Sequence, residues 1–242
     1  FLKRKIFEKF YRTVQIKFFK HKCNNYYYNL NYIKMKKVAV IGATGFVGTQ
    51  VVKELANRGY SVNALARNTS KIEESENVKA VTADIYNTTE LSEILKGNDA
   101  VISTFNPGWT NPNIFEDFLK GATSIEKAVE ESGVKRFITV GGAGSLYISE
   151  NLQLIDTPEF PAEIKPGAEA ARQYLEMIKK NENLDWTFFS PAIEMHQGTA
   201  GVRKGTYRTA LENPVFDENG RSVLSVEDVA VALVDELENN QF

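Results

Sequence analysis

Three glycines spaced three residues apart stand directly after a short apolar segment, Val38–Ile41. Gly42 allows a tight turn, Gly45 lets the backbone approach a pyrophosphate, and Gly48 permits a helix to pack closely on the strand. The N-terminus of that helix offers unpaired N–H groups and a positive dipole end to phosphates. The pattern therefore predicts a dinucleotide-binding turn. The residues expected to contact the dinucleotide are Gly42, Thr44, Gly45, Phe46 and Val47.

The end of the second predicted strand carries a cation where dinucleotide-binding folds often carry an acid. No Asp or Glu lies between Glu54 and Glu73, and the strand ends in Arg67. An acid there would bond the ribose hydroxyls of NAD, whereas a guanidinium suits a 2′-phosphate. Arg67 therefore favours NADP(H) and leaves NAD(H) open. The alternative interpretation is an ordinary surface arginine.

The ends of the other strands supply further cofactor contacts, because the carboxyl ends of parallel strands meet at one edge of a sheet. The third strand leads to the adenine, the fourth to the ribose and nicotinamide, and the fifth to a glycine-rich turn that lets a planar ring approach the backbone. The predicted contacts are Asp84, Ile85, Ser103, Thr104, Phe105, Val140, Gly141, Gly142 and Pro191.

Five residues are candidates for the reaction itself. Ser145 could bond the carboxamide or the acceptor, and His196 could donate a proton; a turn serine and an incidental loop histidine are the alternatives. Lys165 could attract an anionic acceptor such as a flavin phosphate, or be a solvated lysine. Gly144 and Trp109 complete the predicted substrate contacts, since an aromatic side chain over a cleft suits a stacked ring.

Strands alternate with helical segments along the chain, which predicts an α/β fold with a Rossmann-type, doubly wound parallel sheet. After the first strand–turn–helix unit, the predicted strands are Ser61–Ala66, Val78–Thr82, Asp99–Phe105, Arg136–Val140 and Trp186–Ser190. The predicted helices are Thr88–Lys96, Asn113–Ser132, Glu169–Asn181 and a last one capped by Ser225.

Two segments lack this periodicity, residues 146–167 and 192–224. They are expected to form a small C-terminal substrate lobe over the carboxyl edge. Short strands are predicted within the second segment at Thr206–Thr209 and Ser222–Leu224.

Composition separates a basic leader from an acidic remainder. Residues 1–34 hold nine Lys/Arg and one acid, a balance of +8, so the formal net charge of −2 leaves −10 for residues 35–242. The acidic part is therefore an improbable nucleic-acid binder. We interpret residues 1–34 as an extension outside the fold, with an interaction tail or targeting segment as alternatives, and residues 35–242 as a single domain.

Cysteine and histidine content limits the chemistry. The single cysteine, Cys23, allows no intrachain disulfide, and the only histidines are His21 and His196. A zinc site is therefore not expected. A reducing, cytoplasmic location is expected. No run of 18 apolar residues predicts a membrane span. The expected partner is a small planar acceptor, with no nucleic acid and no membrane for the folded part, in a monomer or small homo-oligomer.

The chain resembles the atypical short-chain dehydrogenase/reductases in its Gly42–Gly48 turn. Three later segments, Val140–Leu146, Pro161–Pro166 and Asp185–Pro191, resemble bacterial NADH-flavin reductase-like proteins, relatives of biliverdin-IXβ/flavin reductases. This resemblance implies a Rossmann fold, a nicotinamide dinucleotide, and flavin as a substrate that is not tightly held.

One departure from the superfamily bears on the reaction. Short-chain dehydrogenases use a Tyr-x-x-x-Lys pair for proton transfer, but Tyr147 is followed by Asn151 and Tyr174 by Ile178 at the lysine position. Hydride transfer between stacked rings needs orientation rather than a protein acid. The sequence thus favours an NAD(P)H-dependent flavin reductase. A non-catalytic NADP(H) sensor and, less favoured, an epimerase or reductase of small carbonyls are the alternatives.

Overall fold

A parallel sheet of six strands forms the centre of the protein, seen in a computed structural model that describes residues 36–242. In chain order the strands are β1 (Lys37–Ile41), β2 (Ser61–Ala66), β3 (Val78–Thr82), β4 (Ala100–Ser103), β5 (Arg136–Val140), β6 (Tyr147–Ser149), β7 (Leu152–Gln153) and β8 (Asp185–Phe189). The sheet order is β3-β2-β1-β4-β5-β8, and β6 and β7 form a separate antiparallel pair. The predicted doubly wound fold is confirmed. The interpretation of residues 1–34 lies outside the described residues.

Helices cover both faces of the sheet. They are α1 (Phe46–Asn57), α2 (Thr88–Leu95), α3 (Ile114–Ser132), α4 (Lys165–Ile178) and α5 (Val226–Asn239). Two caps explain where helices begin: the Asn87 side chain accepts from the Glu90 N–H, and Ser225 Oγ accepts from the Asp228 N–H at 3.1 Å. Such caps satisfy N–H groups that have no partner inside the helix.

Strand β1 shows why the sheet is buried on both sides. Val38 and Val40 pack with α1 and α5, whereas Ala39 and Ile41 pack with α2, α3 and α4. All four are buried, at 0–1% exposure. A strand covered on both faces reads as a continuous apolar run, and burial of each larger side chain stabilises the fold by roughly 1.5–3 kcal/mol.

Helix α4 begins four residues earlier than the sequence predicted, at Lys165 rather than Glu169. Pro166 lies in its first turn, where a missing N–H costs nothing because that position has no intrahelical acceptor. The sequence predicted an irregular segment through Pro166, but this proline lies in the first turn of the helix instead. Lys165 therefore lies on a helix and not on a flexible loop.

The strands predicted within the lobe are not formed as expected. Residues 146–153 form the β6–β7 hairpin, but Thr206–Thr209 is not a strand and Ser222–Leu224 contributes one bridge, Val223 to Glu194. Residues 201–207 instead run along α5: the N–H groups of Lys204 and Gly205 donate to Asp228 in its first turn, and Tyr207 donates to Asp235 in its later part at 2.7 Å. Polar bonds to the helix layer replace strand pairing in this segment.

A buried carboxylate ties this segment to α1. Glu54 is 4% exposed and accepts from Arg203 at 2.8 and 3.0 Å and from Arg58 at 2.8 Å. Arg58 also bonds Asp235, so the cluster joins α1, the 201–207 segment and α5. The hydrogen bond from Arg203 and the charges of both arginines lower the pKa of Glu54. Such pairing is needed because a buried charge without a partner is costly.

The described part of the chain lacks two kinds of feature, a membrane-spanning helix and a cluster of metal ligands. Within residues 36–242, no helix is long and apolar enough to cross a membrane. The same residues contain no group of three or more His, Cys, Asp or Glu side chains placed to hold a metal ion.

We predict that Glu54→Gln lowers the free energy of unfolding at neutral pH by about 1–3 kcal/mol, the scale of a hydrogen bond to a charged group. The lowered pKa means that the carboxylate contributes stability above the ordinary value of 4.5 and loses it as pH falls through the folded-state value. The gap between wild type and variant should therefore narrow in acid. Urea unfolding from neutral pH down to pH ~3.5 measures this.

The matched control is Glu93→Gln, which breaks the exposed pair with Lys96 and should cost less than about 1 kcal/mol. A Glu54→Gln deficit that stays constant with pH would contradict the assigned role of the charge.

Candidate functional site

The glycine turn after β1 is fixed by contacts that leave no room for side chains. Gly42 has φ +79°, and a Cβ there would come within 2.9 Å of Thr104 Oγ1. A Cβ at Gly48 would lie 2.1 Å from the Gly42 carbonyl oxygen. The Gly45 N–H donates to the Gly42 carbonyl at 2.9 Å. The glycine roles at positions 42 and 48 are thus set by backbone packing, as the spacing indicated.

The N-terminus of α1 provides an anion-binding surface. Gly45 precedes the helix and is exposed, no side chain caps the helix, and the first backbone bond runs from Thr49 N–H to the Gly45 carbonyl at 3.0 Å. The helix begins at Phe46, and the N–H groups of its first turn, including those of Phe46 and Val47, therefore have no intrahelical acceptor. A Cβ at Gly45 would meet only the Gly42 carbonyl, at 3.2 Å, so the approach for a pyrophosphate is open. These residues fit a dinucleotide.

The residues after β4 support the turn and do not reach toward a ligand with their side chains. Thr104 Oγ1 donates to the carbonyls of Ile41 at 2.9 Å and Gly42 at 3.2 Å. Ser103 is buried at 3% exposure. Phe105 stacks on Phe118 at a centroid distance of 6.1 Å. The core and the glycine turn already occupy these three side chains, so the predicted contacts to ribose and nicotinamide would fall to their backbone atoms and stay a prediction.

Arg67 lies exposed directly after β2, and no ion pair involves it among residues 36–242. Asp84 is exposed after β3, and its Oδ1 accepts from the Tyr86 N–H at 3.0 Å. Ile85 is buried in the core. The Asp84 carboxylate thus shapes its own turn, while Arg67 keeps its guanidinium free for a ligand.

Tyr86 follows β3 and packs against α3, and the sequence analysis did not name it among the cofactor contacts. Its ring lies under the Lys120 ammonium at 5.1 Å from the centroid. Partial burial raises the pKa of Tyr86, the charges of Asp117 and Asp84 act in the same direction, and Arg67 opposes them. Arg67 and Tyr86 are therefore electrostatic neighbours. An aromatic residue two positions after Asp84 was the available signal.

Two adjacent glycines after β5 have different functions. A Cβ at Gly141 would lie 2.0 Å from the Phe188 ring, so Gly141 is required by core packing. Gly142 is extended (φ −152°) and a Cβ there would meet nothing within 4 Å. Gly142, beside the half-buried Val140, is thus the position open to a ligand, and Gly141 is not.

The next turn also differs from expectation. A Cβ at Gly144 would lie 3.2 Å from the Ala168 methyl, so Gly144 packs on α4 instead of facing a substrate. Ser145 is buried, and its hydroxyl faces the Gly142 carbonyl at 3.4 Å. The predicted catalytic role for Ser145 is not supported, because its hydroxyl serves the turn.

Trp109 packs against the first turn of α4, the helix that begins at Lys165. A Cβ at Gly167 would lie 2.9 Å from Trp109 Cζ3, which places the indole against this turn. Trp109 is 56% exposed and Lys165 is exposed as well. Ala168 of the same helix packs on Gly144, so the indole and the turn after β5 lie against the same end of α4 and form one neighbourhood. No contact brings Lys165 to the indole among the described residues, and its role stays a prediction.

His196 and Pro191 lie in the segment after β8. His196 Nδ1 accepts from the Gly198 N–H at 3.0 Å, which leaves the proton of the neutral ring on Nε2. The ring caps a single turn of 3₁₀ helix (Gln197–Thr199) and is exposed. Pro191 is buried. The structure gives His196 a capping role, and its proton-donor role stays a prediction.

The comparisons with known proteins agree with this geometry. Residues 42–240 match the NAD(P)H-binding family, and the chain belongs to it. An uncharacterised Bacillus subtilis protein, YwnB, is 35% identical over 205 residues, which are 84% of this chain and 92% of that protein. The resemblance to atypical short-chain dehydrogenase/reductases is confirmed.

Two solved structures extend the agreement. A Bacteroides thetaiotaomicron protein named as a candidate epimerase is 43% identical with a TM-score of 0.79, covering 86% of this chain and 94% of that one. A Streptococcus pneumoniae protein named as a candidate NADH-flavin reductase is 37% identical with a TM-score of 0.75, covering 86% and 95%. Because these names differ in activity, the family defines the cofactor class and not the reaction.

We predict that Gly142→Val folds with an unchanged melting temperature, because its extended backbone and open surroundings accept a branched side chain. The same side chain fills the space where a cofactor or acceptor ring meets the backbone, so binding should weaken about tenfold or more, or ~1.4 kcal/mol. Thermal unfolding and NADPH titration measure the two effects separately.

The matched control is Gly141→Val, which must displace Phe188 and should lose about 1–3 kcal/mol of stability through overpacking. If Gly142→Val bound NADPH as tightly as the wild type and kept whatever flavin turnover the wild type has, neither the cofactor ring nor the acceptor ring would contact Gly142.

Proposed function

We propose that the protein is an NAD(P)H-dependent reductase that passes hydride to flavin or a similar planar acceptor. The observation that carries this proposal is an exposed indole, Trp109, in the same neighbourhood as the open backbone at Gly142, without a tyrosine–lysine pair beside them. A planar acceptor can stack on an aromatic ring. Reduction of small carbonyls by the short-chain dehydrogenase route requires a tyrosine–lysine pair, and neither Tyr147 nor Tyr174 has a lysine four residues later.

The two candidate tyrosines differ in why they are poor acids. Tyr174 is buried at 1% exposure in the core, and burial together with the nearby Glu126 and Glu130 carboxylates strongly raises its pKa. Tyr147 is half-buried in β6, and Asn151 stands where the short-chain dehydrogenases carry the lysine. Burial therefore disfavours Tyr174 as a proton donor, and Tyr147 lacks the lysine partner.

The chain's own residues would bind and orient the reactants. The Gly42–Gly48 turn and the first turn of α1 hold the pyrophosphate, and Gly142 admits the flat ring. When bound, the reduced dinucleotide would supply a hydride, and solvent supplies the one proton that the acceptor takes up with it. Orientation of two rings accounts for the rate, because a near-attack arrangement lowers the barrier without acid–base groups.

The exposed guanidinium at the end of β2 supports NADP(H) as the preferred dinucleotide. Arg67 has no anionic partner within residues 36–242 and can form paired, charge-assisted bonds to a 2′-phosphate. The acidic balance of residues 35–242 and the absence of cysteine from them support, as further proposals, a cytoplasmic protein with a small-molecule partner and no nucleic-acid partner.

The direct experiment is anaerobic reduction of FMN or riboflavin by NADPH and by NADH, followed for wild type, Tyr147→Phe and Tyr174→Phe. We expect turnover in all three proteins within a few-fold of one another, whereas loss of a general acid would cost about 10²–10⁴. A collapse of turnover in either variant, with folding and NADPH affinity intact, would favour tyrosine-mediated proton transfer.

If none of the proteins reduced flavin while NADPH still bound tightly, the alternative of a non-catalytic NADP(H) sensor would be supported. Its specific basis is that the hydroxyl of Ser145 and Nδ1 of His196 are both engaged within their own turns.

We predict that Arg67→Ala weakens NADPH binding by roughly 1.5–3 kcal/mol, the scale of a hydrogen bond to a charged group, and leaves NADH nearly unchanged. Isothermal titration with both dinucleotides provides the test. The control is Lys79→Ala, an exposed cation on β3 that should affect neither. Equal losses for NADPH and NADH in Arg67→Ala would show that Arg67 does not recognise the 2′-phosphate.

A further inference from the structure

Two aromatic residues of the loop after β4 each lie against a glycine within a helix. A Cβ at Gly121 of α3 would come 2.3 Å from the Phe105 ring, and a Cβ at Gly167 of α4 would come 2.9 Å from Trp109 Cζ3. Both distances are shorter than two non-bonded carbon atoms tolerate. Each ring therefore occupies the space that a Cβ would fill if the glycine were replaced by another residue. The loop is therefore held near its start and at its middle by aromatic–glycine contacts.

Gly167 is not required by its backbone conformation. It lies in the first turn of α4, and its φ is not in the left-handed region that favours glycine. Glycine within a helix is less stable than alanine because it loses more backbone freedom on folding. Gly167 thus brings a cost that must be offset by the close approach of its neighbours, Trp109 and Ile114.

The two rings differ in what they present. Phe105 is half-buried and stacked on Phe118, so it anchors the loop. Trp109 keeps 56% of its surface exposed although α4 supports it from one side. An indole that packs on a helix with one edge and is otherwise exposed offers a stacking surface, and large aromatic side chains bind planar groups at low entropic cost.

The position of this surface connects it with the proposed site. Gly167 is followed by Ala168, whose methyl would lie 3.2 Å from a Cβ at Gly144, and Gly144 is two residues beyond Gly142. A ring stacked on the exposed face of Trp109 would therefore lie in the neighbourhood where the backbone at Gly142 is open.

We propose that Gly167 is a specificity-determining positioning residue: by leaving space for the indole, it fixes Trp109 as the stacking surface for an acceptor with fused aromatic rings. This rests on the proposed reductase function. The corresponding acceptor class is a fused, planar heterocycle of the size of isoalloxazine, and small aliphatic carbonyls are disfavoured because they cannot use the indole face.

The test uses Trp186→Phe as the reference protein, because Trp109 is then its only tryptophan. Riboflavin is titrated in the presence of NADP⁺ while Trp109 emission is followed, and riboflavin turnover with NADPH gives kcat and KM. The variants in this reference are Trp109→Ala, Gly167→Ala and the double variant, with NADPH affinity measured for each.

We expect Trp109→Ala to raise the KM for riboflavin about tenfold, the scale of aromatic stacking on a planar base, with kcat within a few-fold and NADPH affinity unchanged. Gly167→Ala should shift the Trp109 emission, weaken its quenching by riboflavin and raise KM. The double variant should be no worse than Trp109→Ala alone, because Gly167 acts through the indole.

A second variant keeps the test valid if Gly167→Ala folds poorly. Ile114 Cδ1 would lie 2.7 Å from the same Cβ, closer than the indole. Ile114→Val removes that methyl, so Gly167→Ala in an Ile114→Val background isolates the contact with Trp109. Ile114→Val alone is the matched control and should keep the reference KM.

The outcomes separate the two proposals. Quenching of Trp109 by riboflavin without any hydride transfer would overturn the reductase function and leave the stacking surface standing. Riboflavin turnover with an unchanged KM in Trp109→Ala, or additive effects of the two substitutions in the double variant, would overturn the role of Gly167.

Discussion

The site depends on one contact between two stretches of backbone. The Gly42 carbonyl lies so close to α1 that a Cβ at position 48 would be 2.1 Å away. This contact places the first turn of α1 directly at the end of β1, and Thr104 completes it from β4 by donating to the carbonyls of Ile41 and Gly42. The uncapped N–H groups of α1 therefore lie beside the point between β1 and β4 where the strand order reverses.

Glycines elsewhere in the site have the same physical function with different partners. Gly141 admits Phe188, Gly144 admits α4, and Gly167 admits Trp109. Each allows an aromatic ring or a helix to approach, and the resulting framework is closely packed. Gly142 differs because nothing in the protein uses the space beside it. A reaction that needs two rings held face to face is well served by such a framework, since orientation is then built into the fold.

The sequence predicted the fold well because its signals are local. The apolar run of β1, the glycine spacing and the Ser225 cap each depend on a few neighbouring residues. Less could be predicted where long-range packing decides. The side chains of Phe105, Thr104 and Ser145 are of types that often bind ligands, but core contacts and hydrogen bonds within turns already occupy them. The start of α4 at Lys165 was not predicted because Pro166 usually indicates a loop. The strand predicted at Thr206–Thr209 is absent because the polar partners of this segment on α1 and α5 are distant in sequence.

The most direct measurement of the central claim is a single-turnover reduction of riboflavin under anaerobic conditions, using NADPH deuterated at the transferred position, in H₂O and in D₂O. If the protein only holds two rings together, the deuterated cofactor should slow the reaction through a primary isotope effect, and D₂O should change the rate little. A solvent isotope effect as large as the substrate effect would show that a proton donor takes part in the rate-limiting step, which would contradict the account.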